Sequence, residues 1–486
     1  MTDRADYEAK RWRALALLCI AQFMVVLDAS IVNIALPTIG EALDFSQDDL
    51  SWVVNAYVLT FGGFLLLGGR LADLLGRRRV FMAGLVLFAL ASLAGGFAQN
   101  DVQLVIARAV QGLGAAIVSP AALSIITVTF REGAERNKAL GAWGAVAGSG
   151  GAVGVLLGGI LTEGLGWEWV LWVNVPIGIA AAVLAPRLIA ESRSEGEKRA
   201  FDIPGAVTIT AGLSLLVYAI VNAEKAGWGS TETIVLLAVA AGLIAAFAAI
   251  EQRTADPLVP FRIFRLPTLT GANAVGLLVG ASLFSMFFFA SLYMQQVLGY
   301  GAIKAGLSYL PLSAGIIISA GVSSQLSTRI GFKPVLVTGL AFTAVALLWW
   351  SQLSPDGSYV SDILGPSVLA AIGLGLSFVS ITIAAVAGVR ERESGLASGL
   401  INTSQQVGGA LGLAILATIA NSVSDDKLAT ATTPVEQGAA LTDGFQQAFL
   451  VGAGFAILAL VVCLAVIRTS DSKAMIDREV GSASGA

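Results

Sequence analysis

Apolar runs of roughly 17–25 residues, the length that crosses a bilayer as helix, recur fourteen times along the 486 residues. They fall at about 14–36, 51–69, 80–98, 103–128, 138–162 and 169–189, then at 203–222 and 231–250. Six more lie near 269–293, 305–327, 334–351, 363–387, 396–420 and 445–467. The pattern predicts an all-α integral membrane protein, grouped as six helices, two, and six. The first run has no small-residue cleavage site after it and reads as a retained span rather than a signal peptide. Glycine-rich stretches such as 144–159 would be poor helices in water, but small residues let helices approach closely in lipid.

The polar segments between the runs test this map. With the N-terminus placed in the cytoplasm, 25 of the 29 lysines and arginines fall in inside segments, among them Arg70, Arg77, Arg78 and Arg79. Only Lys225, Lys304 and Lys427 fall outside, and Arg108 alone lies within a span. Inside segments are enriched in Lys and Arg, and one missed span would invert every later loop. An even number of spans and two cytoplasmic termini follow.

Composition narrows the chemistry. Only 13% of residues are charged against 56% hydrophobic, with a mean hydropathy of +0.80. Soluble proteins carry about 25% charged residues, so lipid is the expected solvent. The net charge of −4 and the lack of a basic cluster with interleaved aromatics disfavour a nucleic-acid partner. No histidine is present, which removes imidazole metal ligands, histidine triads and histidine relays. Cys19 and Cys463 sit in apolar runs and read as small hydrophobes. Without an acid, base and nucleophile set or a phosphate-binding loop, neither an enzyme nor an ATP-driven pump is expected.

Two pairs of stretches resemble each other at similar offsets. Residues 69–80 (GRLADLLGRRRV) align with 324–335 (SQLSTRIGFKPV), and 139–154 (ALGAWGAVAGSGGAVG) with 397–412 (ASGLINTSQQVGGALG). Both fall at equivalent places in the two six-span groups, as in a duplicated transporter. The expected domains are residues 1–190, one half; 191–262, a linker and two inserted helices; 263–470, the other half; and 471–486, a polar tail.

Asp28 and Arg108 are the two ionisable residues most clearly inside spans. Intramembrane charges are costly and normally paired. Counting about 1.5 Å per residue from the outer helix ends, they lie at roughly 12 and 8 Å depth, close enough to pair directly or through water. Gln111 follows Arg108 by three residues and shares its helix face. Asn33, Asn55 and Asn402 are further polar residues in or near spans. The run 284–294 (FSMFFFASLYM), with Phe288 and Tyr293, offers an adaptable apolar surface.

Three motifs carry a resemblance to the fourteen-helix drug:proton antiporters of the major facilitator superfamily. Residues 69–79 (GRLADLLGRRR) resemble its signature between helices two and three, 104–116 (LVIARAVQGLGAA) its helix-four motif, and 27–37 (LDASIVNIALP) its helix-one motif. The helix-five motif GPxxGG is similar to 154–159 (GVLLGG), which keeps Gly154, Gly158 and Gly159 but has Val155 for the proline. The resemblance implies two six-helix halves that alternate access to a central site. It implies a conformational latch built from Gly69, Asp73, Gly76 and Arg77, with Asp73 near Ser394. Gly69 and Gly76 are expected at the ends of a turn, with Asp73 among Arg70, Arg77, Arg78 and Arg79. It implies proton coupling through Asp28 and Arg108, and a substrate cavity for which Asn33, Gln111, Asn55, Phe288, Tyr293 and Asn402 are candidates.

The expected function is export of amphipathic organic compounds, such as drugs or antibiotics, driven by the proton gradient. No other cofactor and no metal is expected, and the setting is a monomer in the bacterial inner membrane. An importer of a small solute or a lipid translocator fits the same fold, and the departure at Val155 leaves direction open. A non-transporting sensor would not need buried charges or a duplicated unit.

Overall fold

The structure, a computed structural model, describes residues 2–45, 50, 52–192, 202–254, 257–390, 393–474 and 476. Most of the tail and of the 191–201 linker, with Arg193, Lys198 and Arg199, therefore lies outside the described residues. Within them every regular element is helical. In chain order the long helices are α1 (Thr2–Ala42), α2 (Trp52–Leu75), α3 (Arg77–Gly95), α4 (Asp101–Thr129), α5 (Ala134–Gly164) and α6 (Asn174–Leu188). The inserted pair is α7 (Ile203–Ala226) and α8 (Thr231–Glu251). The second group is α9 (Pro267–Leu292), α10 (Leu310–Ile330), α11 (Phe332–Trp350), α12 (Gly365–Val386), α13 (Ser394–Leu428) and α14 (Pro434–Val466). All reach membrane-spanning length and apolarity, α6 together with the preceding helical turn Trp169–Trp172 and α5 as two segments bent by 43° near residue 152.

Local sequence sets the ends. Asn100, Asp202, Ser230 and Thr433 accept backbone N–H bonds at the starts of α4, α7, α8 and α14, which satisfies donors the first turn cannot pair itself. Several helices outrun the apolar stretches: α1 begins at residue 2 rather than 14, and α14 at residue 434 rather than 445. Hydropathy marks the part that must lie in lipid, whereas helix continues wherever caps and packing sustain it.

The two six-helix groups pack alike. In the first, α1 lies on α5 and α6, and α3 and α4 pack together, with α2 on α4 and α3 on α6. In the second, α9 lies on α13 and α14, α11 and α12 pack together, α10 lies on α12 and α11 on α14. The groups meet along α2–α13 and α5–α10. Of the inserted pair, α7 touches both α2 and α13, thus spanning one of those seams.

Glycines determine how close the crossings are. A Cβ at Gly154 would lie 1.9 Å from Ser30 Oγ and 2.9 Å from the Leu27 carbonyl of α1, and one at Gly158 would lie 2.7 Å from the Ile31 carbonyl. At the aligned place in the second group, a Cβ at Gly412 would come within 2.3 Å of Ala281 Cα on α9. A Cβ at Gly159 instead meets only Ile303, at 3.5 Å.

Candidate functional site

The packing of α1 against α4 and α6 brings polar side chains into the apolar interior. Arg108 Nη1 donates to Asp28 Oδ2 at 2.7 Å, with side-chain exposures of 1% and 0%. Asp28 Oδ1 accepts from Gln111 Nε2 and from Asn174 Nδ2, each at 2.8 Å. Arg108 Nε donates to the Val53 carbonyl at 3.0 Å, and Nη1 also reaches Gln111 Oε1. Its guanidinium carbon stands 4.4 Å from the centre of the Tyr57 ring, a cation–π contact strengthened by desolvation. Ser92 Oγ accepts from both amides, Gln111 and Asn174. The carboxylate thus receives one guanidinium and two amide donors, which offsets much of the cost of burying it.

Asp28, Arg108 and Gln111 were legible from the sequence. Tyr57, Ser92 and Asn174 were not, although a lone asparagine in the apolar run 169–189 is a signal that could have found the last. Serine and tyrosine are common in spans and give no such signal.

A second polar cluster joins the two halves at the arginine-rich face. Asp73 is fully buried and pairs with Arg77 at 2.8 Å. Its oxygens accept the backbone N–H groups of Gly395 (3.2 Å) and Leu396 (3.1 Å) in the first turn of α13, where the helix dipole favours an anion. Arg77 Nε donates to Ser124 Oγ, which lies 2.9 Å from Ser394 Oγ. The expected picture of a turn over 69–79 needs correcting: α2 runs on to Leu75, and only Gly76 (φ 105°) breaks the helix. Gly69 is therefore not a turn residue. It sits in mid-helix, where a Cβ would lie 2.3 Å from the Gly395 carbonyl, so its absence of side chain permits the α2–α13 crossing. The other arginines go elsewhere than Asp73: Arg70 donates to the Pro257 carbonyl, and Arg78 and Arg79 pair with Glu191.

The remaining cavity candidates do not converge on these clusters. Tyr293 is fully buried, and its hydroxyl donates to the Ser354 carbonyl at 2.6 Å, so it holds a loop instead of facing a cavity. Met286, Phe289 and Met294 of the same run are buried in the second group's core, whereas Phe288 is 42% exposed. Asn33 and Asn402 donate back to Ala29 and Ser398 of their own helices, and Asn55 is half-buried. Among the described residues no hydrogen bond joins Asn33, Asn55 or Asn402 to Asp28. A cavity of about 170 Å³ between the halves, lined by Glu132, Arg136, Asn137, Thr268, Ile383 and Asp471 among others, contains none of the candidates. Cys19 and Cys463 are buried free thiols.

The chain is similar to known proteins. The chain is 42% identical to the cephamycin export protein CmcT of Amycolatopsis lactamdurans, over 96% of this chain and 94% of that protein. It is 39% identical to the puromycin resistance protein pur8 of Streptomyces alboniger, over 98% and 95%. The crystal structure of the human organic anion transporter MFSD10 superposes with a TM-score of 0.67 at 14% identity, covering 93% of this chain and 99% of that one. At such identity the likeness speaks for the fold alone. The sequence profile of the Major Facilitator Superfamily matches residues 18–413. Two alike six-helix groups, relatives matched over nearly their whole length and this profile lead to one conclusion: the chain belongs to the major facilitator superfamily and is a multi-pass transporter of the cell membrane, not an enzyme.

Proposed function

We propose that this protein is a proton-coupled exporter of amphipathic organic compounds, antibiotics among them, with its arginine-rich face in the cytoplasm. The observation that carries the coupling is the carboxylate of Asp28, buried at 0% exposure and bonded only to donors. Burial favours its neutral form, and the adjacent guanidinium favours the ionised one. With the two influences opposed, a modest rearrangement of α1 against α4 can change its charge. Arg108 stays protonated throughout and acts only by biasing its partner.

In this reading Asp28 takes up a proton when the site opens outward, as substrate leaves, and gives it up when the site opens inward, as substrate enters. The α2–α13 contact at Asp73 acts as the latch, broken and remade as the halves rock. The export direction and the substrate class are supported by the relatives described as a cephamycin exporter and a puromycin resistance protein.

Sealed inside-out vesicles test all of this together. Under an inward-acid gradient they should accumulate fluorescent amphipathic drugs and dissipate the gradient as they do so. Drug movement indifferent to the gradient would overturn the coupling, and movement only out of the vesicles would overturn the direction.

A further inference from the structure

The inserted helices end in a pair of acids that the transport cycle above does not use. Asp202, which caps α7, is 8% exposed, and Glu251, the last residue of α8, is 3% exposed. Asp202 Oδ1 accepts the Gly205 N–H at 3.0 Å, but its Oδ2 is buried without a hydrogen-bond partner. That free oxygen and Glu251 crowd the same point: a Cβ placed on Gly205 would lie 2.3 Å from Asp202 Oδ2 and 2.7 Å from Glu251 Oε1. Glu251 meanwhile accepts the N–H groups of Leu258 (Oε1) and Val259 (Oε2), both at 3.1 Å.

Two neighbouring buried carboxyls cannot both ionise without a heavy cost. Glu251 has two backbone N–H groups, one on each oxygen, whereas Asp202 has one and leaves an oxygen free. We propose that the pair binds a single exchangeable proton, held between Asp202 Oδ2 and Glu251 Oε1. The bond formed is one carboxyl O–H within the pair; the proton comes from water at the arginine-rich face and returns to it.

The position of this site gives the proton a consequence. The segment that Glu251 anchors reaches both sides of the latch seam. Pro257 accepts from Arg70 of α2 at 3.1 Å, and Arg262 pairs with Glu393, the residue that precedes α13, at 2.5 Å. Losing the proton sets two carboxylates against each other, displaces the 257–259 segment and loosens its hold on both partners. Of the charged groups on the same connecting segment, Arg253 and Arg265 are exposed, and on α2 Asp73 is paired with Arg77. Residues 193–201 and 255–256 lie outside the described residues. The site therefore makes the grip of the inserted helices on the α2–α13 latch depend on pH at that face. This last step rests on the latch reading above; the proton site does not.

Infrared spectra of the purified full-length protein at neutral pH, in water and in deuterium oxide, test the proton site directly. Asp202→Asn retains the cap, and Asp202→Ser does so with a different shape. Wild type minus either variant should show one carboxylic C=O band, sensitive to deuterium, and the band should persist on an Asp28→Asn background. Its absence from both differences would overturn the proposal, whether the pair is ionised or holds a cation. In vesicles, Asp202→Asn should lose the dependence of drug transport on pH at the arginine-rich face, measured at fixed driving force. An unchanged profile alongside a lost band would leave the proton site standing and overturn its link to the latch. A total lack of transport in wild type would instead count against the exporter reading alone.

Discussion

Thr328 accepts a hydrogen bond from Asn137 Nδ2 at 2.9 Å, across the α5–α10 seam between the halves. This is the second copy of the Asp73 contact across α2–α13. Thr328 aligns with Asp73 and Asn137 with Gly395, and the turns that follow are opened by Gly76 (φ 105°) and Gly331 (φ 84°). One seam carries a buried charge and the other a neutral pair. Hydrogen bonds to charged groups contribute about 1.5–3 kcal/mol against about 0.5–1.5 kcal/mol for neutral ones. Asp73→Asn should therefore slow export several-fold at normal expression, and Thr328→Val by much less. Transport rates normalised to purified protein check this, and equal effects would make the charge irrelevant to the latch.

The apolar runs mark thirteen helices of membrane-spanning length and the bent α5 as a fourteenth, because lipid exposure imposes a strong length and composition rule. Arg108 and Asp28 stood out because charge is rare in spans, and their depths already allowed a pairing. Asn174 stands alone as an amide in its apolar run, but its partner, Asp28, lies 146 residues away, so the sequence does not show what it bonds. Tyr293 misled for the opposite reason: its residue type suits a binding surface, but the loop carbonyl at Ser354 claims its hydroxyl. Which way a polar side chain faces depends on the neighbouring helix, and hydropathy says little about rotation. Gly69 reads as a turn residue in the sequence because glycine serves both turns and close crossings.

The glycine crossings give a stability prediction. Gly154→Ala and Gly412→Ala each push a Cβ into the facing helix, at 1.9 Å and 2.3 Å from its nearest atom. Overpacking of this kind costs typically about 1–3 kcal/mol. Gly242, in the interior of α8, has nothing within 4 Å of where a Cβ would go. Gly242→Ala should be neutral or stabilise by up to about 1 kcal/mol through helix propensity. Thermal unfolding in one detergent should rank Gly242→Ala at or above wild type and the other two below it.

Asn174 should act as a positioning residue for Asp28. Asn174→Leu removes one of the two amide donors to Oδ1 and leaves Ser92 with a single partner from this pair. The carboxylate then loses a group that favours its ionised form. The pH at which drug-induced proton release is half-maximal should move upward, whereas Asn174→Gln should retain part of the wild-type profile. An unmoved profile with reduced stability would reduce Asn174 to packing.

The central prediction concerns Asp28 and Arg108 themselves. Asp28→Asn keeps the shape of the side chain and one acceptor oxygen for Arg108, but it cannot take up or release a proton. Uphill export should be abolished, while downhill movement and drug binding persist. Arg108→Lys keeps the charge, yet one ammonium cannot reproduce a planar group that bonds Val53, Gln111 and Asp28 while lying over Tyr57. Breaking a buried pair costs about 3–5 kcal/mol when one partner is left uncompensated, so the lysine variant should be both less stable and poorly coupled. The measurement is drug-induced proton release in a lightly buffered detergent solution, read alongside a drug-binding titration on the same sample. Wild type should release protons on binding, and Asp28→Asn should bind without release. Release of wild-type size from Asp28→Asn would remove Asp28 as the coupling group and turn attention to Asp73 and Glu163, acids at the two faces of the membrane.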